Sequence, residues 1–205
     1  MRIFVAGTDT DVGKTVFAAA LAGALNATYW KPVQAGNLER TDSDTVRALS
    51  GLPAARILVE GYQLTKPCSP HQAAELDGVS IDVDGLRPPA ADPLVVEGAG
   101  GLMVPVTRDT LIIDLIAQWQ LPAVLVARTS LGTINHSLLS VQALRSKSIP
   151  LIGIAFVGES RPDSEEIICA LGGTKRLGRL PPLEPLEPAI LGRAFAASFD
   201  LDDFR

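Results

Sequence analysis

The sequence predicts an α/β fold: a doubly wound, mostly parallel sheet flanked by helices. Three observations carry this. Apolar, strand-like runs alternate with helical patterns from one end of the chain to the other. Several runs, "PLVVEG", "PAVLVA" and "PLIGIAFV", are continuously apolar, which is how a strand covered on both faces reads. The 205 residues, 47% of them apolar, suit a single domain (1–205) with a full core and no disulfide or metal staple.

The elements follow in order. A strand is predicted at Ile3–Gly7, a helix at Lys14–Asn26 and a strand at Tyr29–Val33. The next helix, Asp42–Ser50, opens on "TDSDT", where Asp42 or Ser43 can act as cap. Pro70 suits the first position of a helix over Pro70–Leu76, with Ser69 as its cap. "LRPPAADP" (Leu86–Pro93) occupies the place of a crossover helix before the strand Leu94–Glu97, and it reads as surface loop. A helix at Thr110–Gln118 and a strand at Ala123–Ala127 come next. Thr133 or Asn135 can then cap a helix over Asn135–Lys147. The strand Leu151–Val157, the helix Ser164–Leu171 and the strand Arg176–Leu180 complete the alternation. A second Pro-rich loop, Leu180–Pro188, leads to a last helix at Pro188–Ser198. Strand–helix–strand units cross over right-handedly, and ligands of such sheets collect at the carboxyl ends of the strands.

Composition narrows the function. With 18 basic and 23 acidic residues the net charge is −5, which argues against a nucleic-acid binder driven by counterion release. The longest apolar run, Val16–Leu25, is shorter than the roughly 18 residues a membrane span needs. Strand-like residues at Arg2–Val5 leave no room for a signal peptide. Cys68 and Cys169 are too far apart to suggest a zinc pair or a disulfide framework. A cytoplasmic location, with no membrane or nucleic-acid partner, is expected.

The strongest motif is "GTDTDVGKT", Gly7–Thr15, between a predicted strand and a predicted helix. Backbone N–H groups at a helix start lack intrahelical partners and carry partial positive charge, so a loop wrapped there can hold phosphate oxygens. Gly13 lets backbone approach closely, Lys14 reaches the terminal phosphates and the Thr15 hydroxyl suits Mg²⁺. Five residues separate Gly7 from Gly13, one more than usual, so either the loop is longer or Thr8 fills the first glycine position. Asp9 and Asp11 add negative charge beside a phosphate site, which calls for a compensating cation.

Other strand ends carry further candidates. "WKPV" sets Lys31 near the end of the second strand, either as an ordinary surface lysine or as a second cation on a transferred phosphoryl group. Asp44, in the first turn of its helix, can face a metal. "VVEGAGG" ends a buried strand with Glu97, which is costly to bury unless paired or metal-bound, and then glycines that allow close approach. "SLGTINHS" opens a helix whose N–H groups can bind a carboxylate. His71 and His136 read as structural or solvated, and Cys68 has no base partner to make it a nucleophile.

Taken together and in order, Gly7–Thr15, "WKPV", "TDSDT", "PCSPH", "VEGAGGLMVP" and "LGTINHSLL" resemble dethiobiotin synthetase, from Arg2 to about Pro182. The resemblance implies a P-loop NTPase-like fold and an ATP- and Mg²⁺-dependent ring closure of 7,8-diaminopelargonate with CO₂ or bicarbonate, giving dethiobiotin, ADP and phosphate. It implies ATP contacts from Asp11, Val12, Gly13, Lys14, Thr15 and Val16, from Asp44, and from Glu97, Gly98, Ala99 and Gly100. Pro181, Pro182 and Leu183 match the family's loop beside base and ribose. Thr15, Asp44 and Glu97 match its metal ligands, and Lys31 with Lys14 its catalytic lysines. Substrate contacts match Thr10, Lys31, Ala35 and Pro70. They also match Gly132, Thr133, Ile134 and Asn135, which in the family come from the partner of a homodimer.

The chain departs from many members in two places. Ala35 stands where they carry Ser or Thr, and "FVGES" (Phe156–Ser160) stands where they carry an adenine-reading Asn, leaving backbone near Val157 and Gly158 for that task. Within the reaction, Asp9 and Asp11 offset or orient a cationic diamine. Two other readings remain. An amide-forming ligase normally needs a glutaminase domain that this length leaves no space for, and a partner-regulated ATPase of the partitioning type usually has a lysine near the position of Asp9.

Overall fold

A computed structural model describes residues 1–36 and 39–205. Six strands form one parallel sheet: β1 (Arg2–Gly7), β2 (Thr28–Trp30), β5 (Leu94–Glu97), β6 (Ala123–Arg128), β7 (Leu151–Val157) and β8 (Arg176–Leu180). Their spatial order is β2-β5-β1-β6-β7-β8. The winding therefore reverses at β1, between β5 and β6, and the crevice expected of a doubly wound sheet opens there. A separate two-stranded parallel sheet pairs β3 (Val33–Ala35) with β4 (Tyr62–Leu64).

The helices are α1 (Lys14–Leu25), α2 (Asp42–Leu49), α3 (Pro70–Asp77), α4 (Ile112–Trp119), α5 (Thr133–Ser146), α6 (Pro162–Gly172) and α7 (Pro188–Ser198). Alternate residues of the apolar strands feed two cores. Phe4, Trp30, Val96 and Leu125 pack with α3, α4, α5 and α6, whereas Ile3, Val5, Val95 and Val124 pack with α1, α2 and α7. The continuous apolar reading of the strands is thus explained by a helix layer on each face. On the second face Phe17, Phe195, Phe199 and Phe204 form an aromatic cluster, with the Phe195 and Phe199 rings stacked 4.7 Å apart.

Three differences from the sequence reading matter. The strand predicted at Tyr29–Val33 breaks after Trp30: Pro32 has no N–H to continue the ladder, and Val33 restarts against β4 instead. The segment Leu86–Pro93 has no helix, as expected, yet it is pinned rather than loose. The Arg2 guanidinium donates to Pro88 O and Pro89 O, and Trp119 Nε1 donates to Leu86 O. Finally, Thr41 is the cap of α2, in place of Asp42 or Ser43.

Candidate functional site: a phosphate-type loop over a buried lysine–carboxylate cluster

The loop from β1 to α1 turns through two left-handed residues, Asp11 (φ 56°) and Gly13 (φ 91°), before α1 starts at Lys14. A Cβ on Gly13 would lie 2.7 Å from Val157 Cγ1, so only glycine lets the loop seat against the end of β7. A Cβ on Gly7 would lie 2.7 Å from both Cδ and Nζ of Lys14. A side chain at that position would press on the Lys14 ammonium. The Lys14 ammonium curls back and donates to Asp9 O at 2.7 Å. Burial, helped by the nearby Lys31 charge, lowers its pKa to about 8.

Beneath the loop lies a charge cluster. Glu97, at the tip of β5, is fully buried (0% exposed). Its Oε1 accepts from Thr15 Oγ1 at 2.8 Å and from Lys31 Nζ at 3.2 Å, and its Oε2 accepts from Tyr29 OH at 2.8 Å. Lys31 is 3% exposed, and its Nζ also lies 2.5 Å from Asp42 Oδ2. Burial alone would lower the Lys31 pKa, but the Glu97 and Asp42 carboxylates outweigh it and raise the pKa. For Asp42 burial pushes upward, and the Lys31 charge and hydrogen bond overcome it and hold the carboxyl low. Burial, reinforced by Glu97, drives the Tyr29 hydroxyl well above its ordinary range, so it stays a neutral donor. Every charge taken out of water here has a partner, the condition under which buried ions are tolerated.

This cluster floors a cavity of about 810 Å³. Of the residues read from the sequence, Thr10, Asp11, Gly13, Lys14, Thr15, Val16, Lys31, Ala35, Pro70, Glu97, Ala99 and Gly100 line it. Val12 is buried beside the loop, and Gly98 receives the Lys31 ammonium on its carbonyl at 3.3 Å. Asp44 does not reach the cavity, which corrects its reading as a metal-facing residue. Its carboxylate closes a capping box with Thr41 and meets Arg47 Nη1 at 2.5 Å, turned outward. The carboxylate of that helical turn that lines the cavity is Asp42.

Asp9 and Asp11 part company as well. Asp11 lines the cavity, whereas Asp9 faces Arg128 Nη2 at 3.9 Å and His136 Nδ1 at 3.8 Å. His71 is occupied by Ser69, its Nδ1 lying 2.9 Å from Ser69 Oγ. Gly132, Thr133, Ile134 and Asn135 lie outside the cavity at the start of α5, whose cap is Gly132 in the left-handed region rather than Thr133 or Asn135. The Thr133 hydroxyl is buried and donates to Arg128 O. Leu131 and Ile134 are exposed beside it. Pro181, Pro182 and Leu183 follow β8 beyond the cavity lining, near the end of β7.

Besides Asp42, which the sequence offers only as a cap, the sequence reading missed three contributors. Tyr29 was hidden because it reads only as a strand residue. Gln34 is buried, accepts from the Asp42 N–H at 3.2 Å and donates to Gly36 O at 3.0 Å, so it fixes the start of α2 over the cavity. Val104 meets Gly100 and closes one wall. None of these three carries a local signal. Among the described residues no group of three or more His, Cys, Asp or Glu could cage a metal. Of the oxygen donors that line the cavity, the Glu97 and Asp42 carboxylates and the Thr15 hydroxyl gather around Lys31 beneath the loop, a set suited to a hard cation that completes its shell from water and phosphate.

A strand–loop–helix of this form, at the reversal point of a parallel sheet and with its lysine and threonine turned inward, defines a P-loop NTPase fold. In agreement, the septum site-determining protein MinD complexed with Mg-ADP from Pyrococcus horikoshii superposes with a TM-score of 0.53. The likeness covers 95% of this chain and 86% of that one at 12% identity, and is one of fold alone. A family model described as an AAA domain matches residues 1–189. The ATP-dependent dethiobiotin synthetase BioD of Afipia carboxidovorans is 62% identical over 205 residues, 99% of this chain and 98% of the relative. That of Rhodopseudomonas palustris strain TIE-1 is 64% identical over 204 residues, 99% of this chain and 96% of the relative. The chain belongs to the ATP-dependent dethiobiotin synthetase family.

Proposed function

We propose that this protein is a ligase of biotin biosynthesis. It would use ATP to carboxylate 7,8-diaminopelargonate and close its ureido ring, giving dethiobiotin, ADP and phosphate. One observation carries the reading: two lysines, Lys14 and Lys31, face one cavity above a fully buried Glu97. The family's near-full-length relatives, at 62% and 64% identity, support it.

The chemistry suits these residues. One amine of the substrate adds to CO₂ and gives up a proton, leaving a carbamate anion. A carbamate oxygen attacks the γ-phosphorus of ATP, the bond to ADP breaks, and a carbamic–phosphoric anhydride forms. The second amine then attacks the carbonyl carbon, expels phosphate and loses a proton, closing the ring. Lys14 leaves the Asp9 carbonyl for the phosphate oxygens, and Lys31 neutralises the carbamate and the transferred group. Lys31 stays cationic because Glu97 and Asp42 hold its proton. Holding both amines near one carbon supplies the positioning term. No protein nucleophile is needed.

Thr15, Glu97 and Asp42, rather than Asp44, would hold Mg²⁺, which supplies further positive charge to the phosphate oxygens. The base and ribose would lie past Gly13, between Val157–Gly158 and Pro181–Leu183. The Gly132–Asn135 segment would act from the partner of a homodimer, binding the substrate carboxylate through backbone N–H groups of the helix start. The exposed Leu131 and Ile134 support such a pairing. Among the described residues no helix is long and apolar enough to cross a membrane.

The test is mass spectrometry for dethiobiotin after mixing the protein with diaminopelargonate, bicarbonate and Mg-ATP. ATP turnover indifferent to the diamine would defeat the proposal. Sedimentation of a fully active monomer would remove the dimeric site.

A further inference from the structure

The end of β7 joins the phosphate loop to the rest of the sheet. Val157 packs on Gly13, and Gly158 follows in a conformation (φ 131°) that side chains rarely adopt. A Cβ at Gly158 would lie 2.5 Å from Thr129 Oγ1, so no side chain fits there. Gly158 therefore offers a base only its backbone, and its orientation depends on what holds that backbone. Two bonds do. Gly158 N–H donates to Leu180 O at 3.0 Å, and Gly158 O accepts from Arg179 Nη1 at 2.8 Å.

Arg179 is itself fixed. Its Nε lies 3.7 Å from Oε1 of Glu165, a carboxylate 2% exposed on α6. The other oxygen of Glu165 is taken by Arg176, at 2.9 and 2.7 Å. Arg179 also stands two residues before Pro181, where the loop after β8 begins. One guanidinium, backed by a buried carboxylate, thus ties the turn after β7 to the strand that launches the next loop.

Resting on the nucleotide reading above, we propose that Arg179 is a positioning residue for the nucleoside half of ATP. It sets the spacing of the Val157–Ser160 and Pro181–Leu183 loops through Gly158 O, and Glu165 orients it. It touches neither the phosphates nor the reacting atoms.

The test compares two ligands of the full-length protein with Mg²⁺: ATP, which has a base, and tripolyphosphate, which does not. Arg179→Ala should weaken ATP by about tenfold or more and leave tripolyphosphate within twofold. Arg179→Met keeps the aliphatic stem and loses the donors, and serves where the alanine variant does not fold; the same split is expected. Equal weakening of both ligands would mean general damage to the phosphate loop and would overturn the proposal, as would unchanged ATP affinity. Failure of the underlying reading is distinguishable, because it appears in the unaltered chain as ATP binding no tighter than tripolyphosphate.

Discussion

The two ends of the nucleotide crevice are built on opposite plans. Under the phosphate loop, Glu97, Lys31, Asp42 and Tyr29 are interlocked side chains, nearly all of them out of water. At the end of β7 the Gly158 backbone is steered by Arg179, which is still 22% exposed. Removing one buried charge strands another in low dielectric, so the first region should answer mutation steeply. The second works through spacing, so mutation there should change ATP affinity and leave the phosphate loop and the fold in place. Even the first turn of α2 repeats the contrast, with Asp42 turned to the buried lysine and Asp44 to solvent and Arg47.

The sharpest way to break this comparison is at the lysines. Lys31→Ala and Lys14→Ala should each lower the rate of dethiobiotin formation by about 10²-fold or more, the scale of losing a phosphoryl-stabilising donor. Lys31→Ala should also lower the unfolding midpoint, because Glu97 and Asp42 then lose the cation they share. Near-normal turnover of Lys31→Ala would remove that lysine from the chemistry.

Next comes Asp42. Asp42→Asn should raise the Mg²⁺ concentration for half-maximal rate by about tenfold, read from a metal titration, on the view that a coordinating carboxylate is lost. An unchanged titration would return the metal to other ligands.

A smaller, graded effect is expected with pH. Lys14 gives up its proton at about 8 in the folded chain, so kcat/KM for ATP should fall several-fold as pH rises through that value. The sign for stability is the reverse. The unfolded chain keeps this proton up to about 10.5, so between those values it binds more protons than the folded chain, and the Lys14 contribution to stability rises with pH. Denaturation midpoints of Lys14→Met should lack that rise.

The least effect belongs to Asp44→Ala. It should cost on the order of 1 kcal/mol or less in stability through the lost capping box and leave kcat and the Mg²⁺ titration unchanged. A loss of metal affinity there would reinstate Asp44 and undo the contrast within α2.

What the sequence determined by itself was everything set by neighbours along the chain. The glycines and Lys14–Thr15 of the phosphate loop follow from a strand-to-helix turn, and Pro70 and Pro188 mark helix starts because proline needs no N–H partner at that position. The strands Leu94–Glu97, Ala123–Arg128 and Leu151–Val157 were legible because burial on both faces leaves a near-continuous apolar run.

Tertiary structure decided the rest. Asp42 and Asp44 are two residues apart on one helix and so point about 200° apart around its axis. Only the docking of α2 beside Lys31, fixed by Gln34, settles which carboxylate faces the cavity. The partnership of Tyr29 with Glu97, the restart of the broken strand against β4 and the grip of Arg179 on Gly158 all join residues far apart in sequence. Local propensity carries no information about such meetings, since they depend on where whole elements pack.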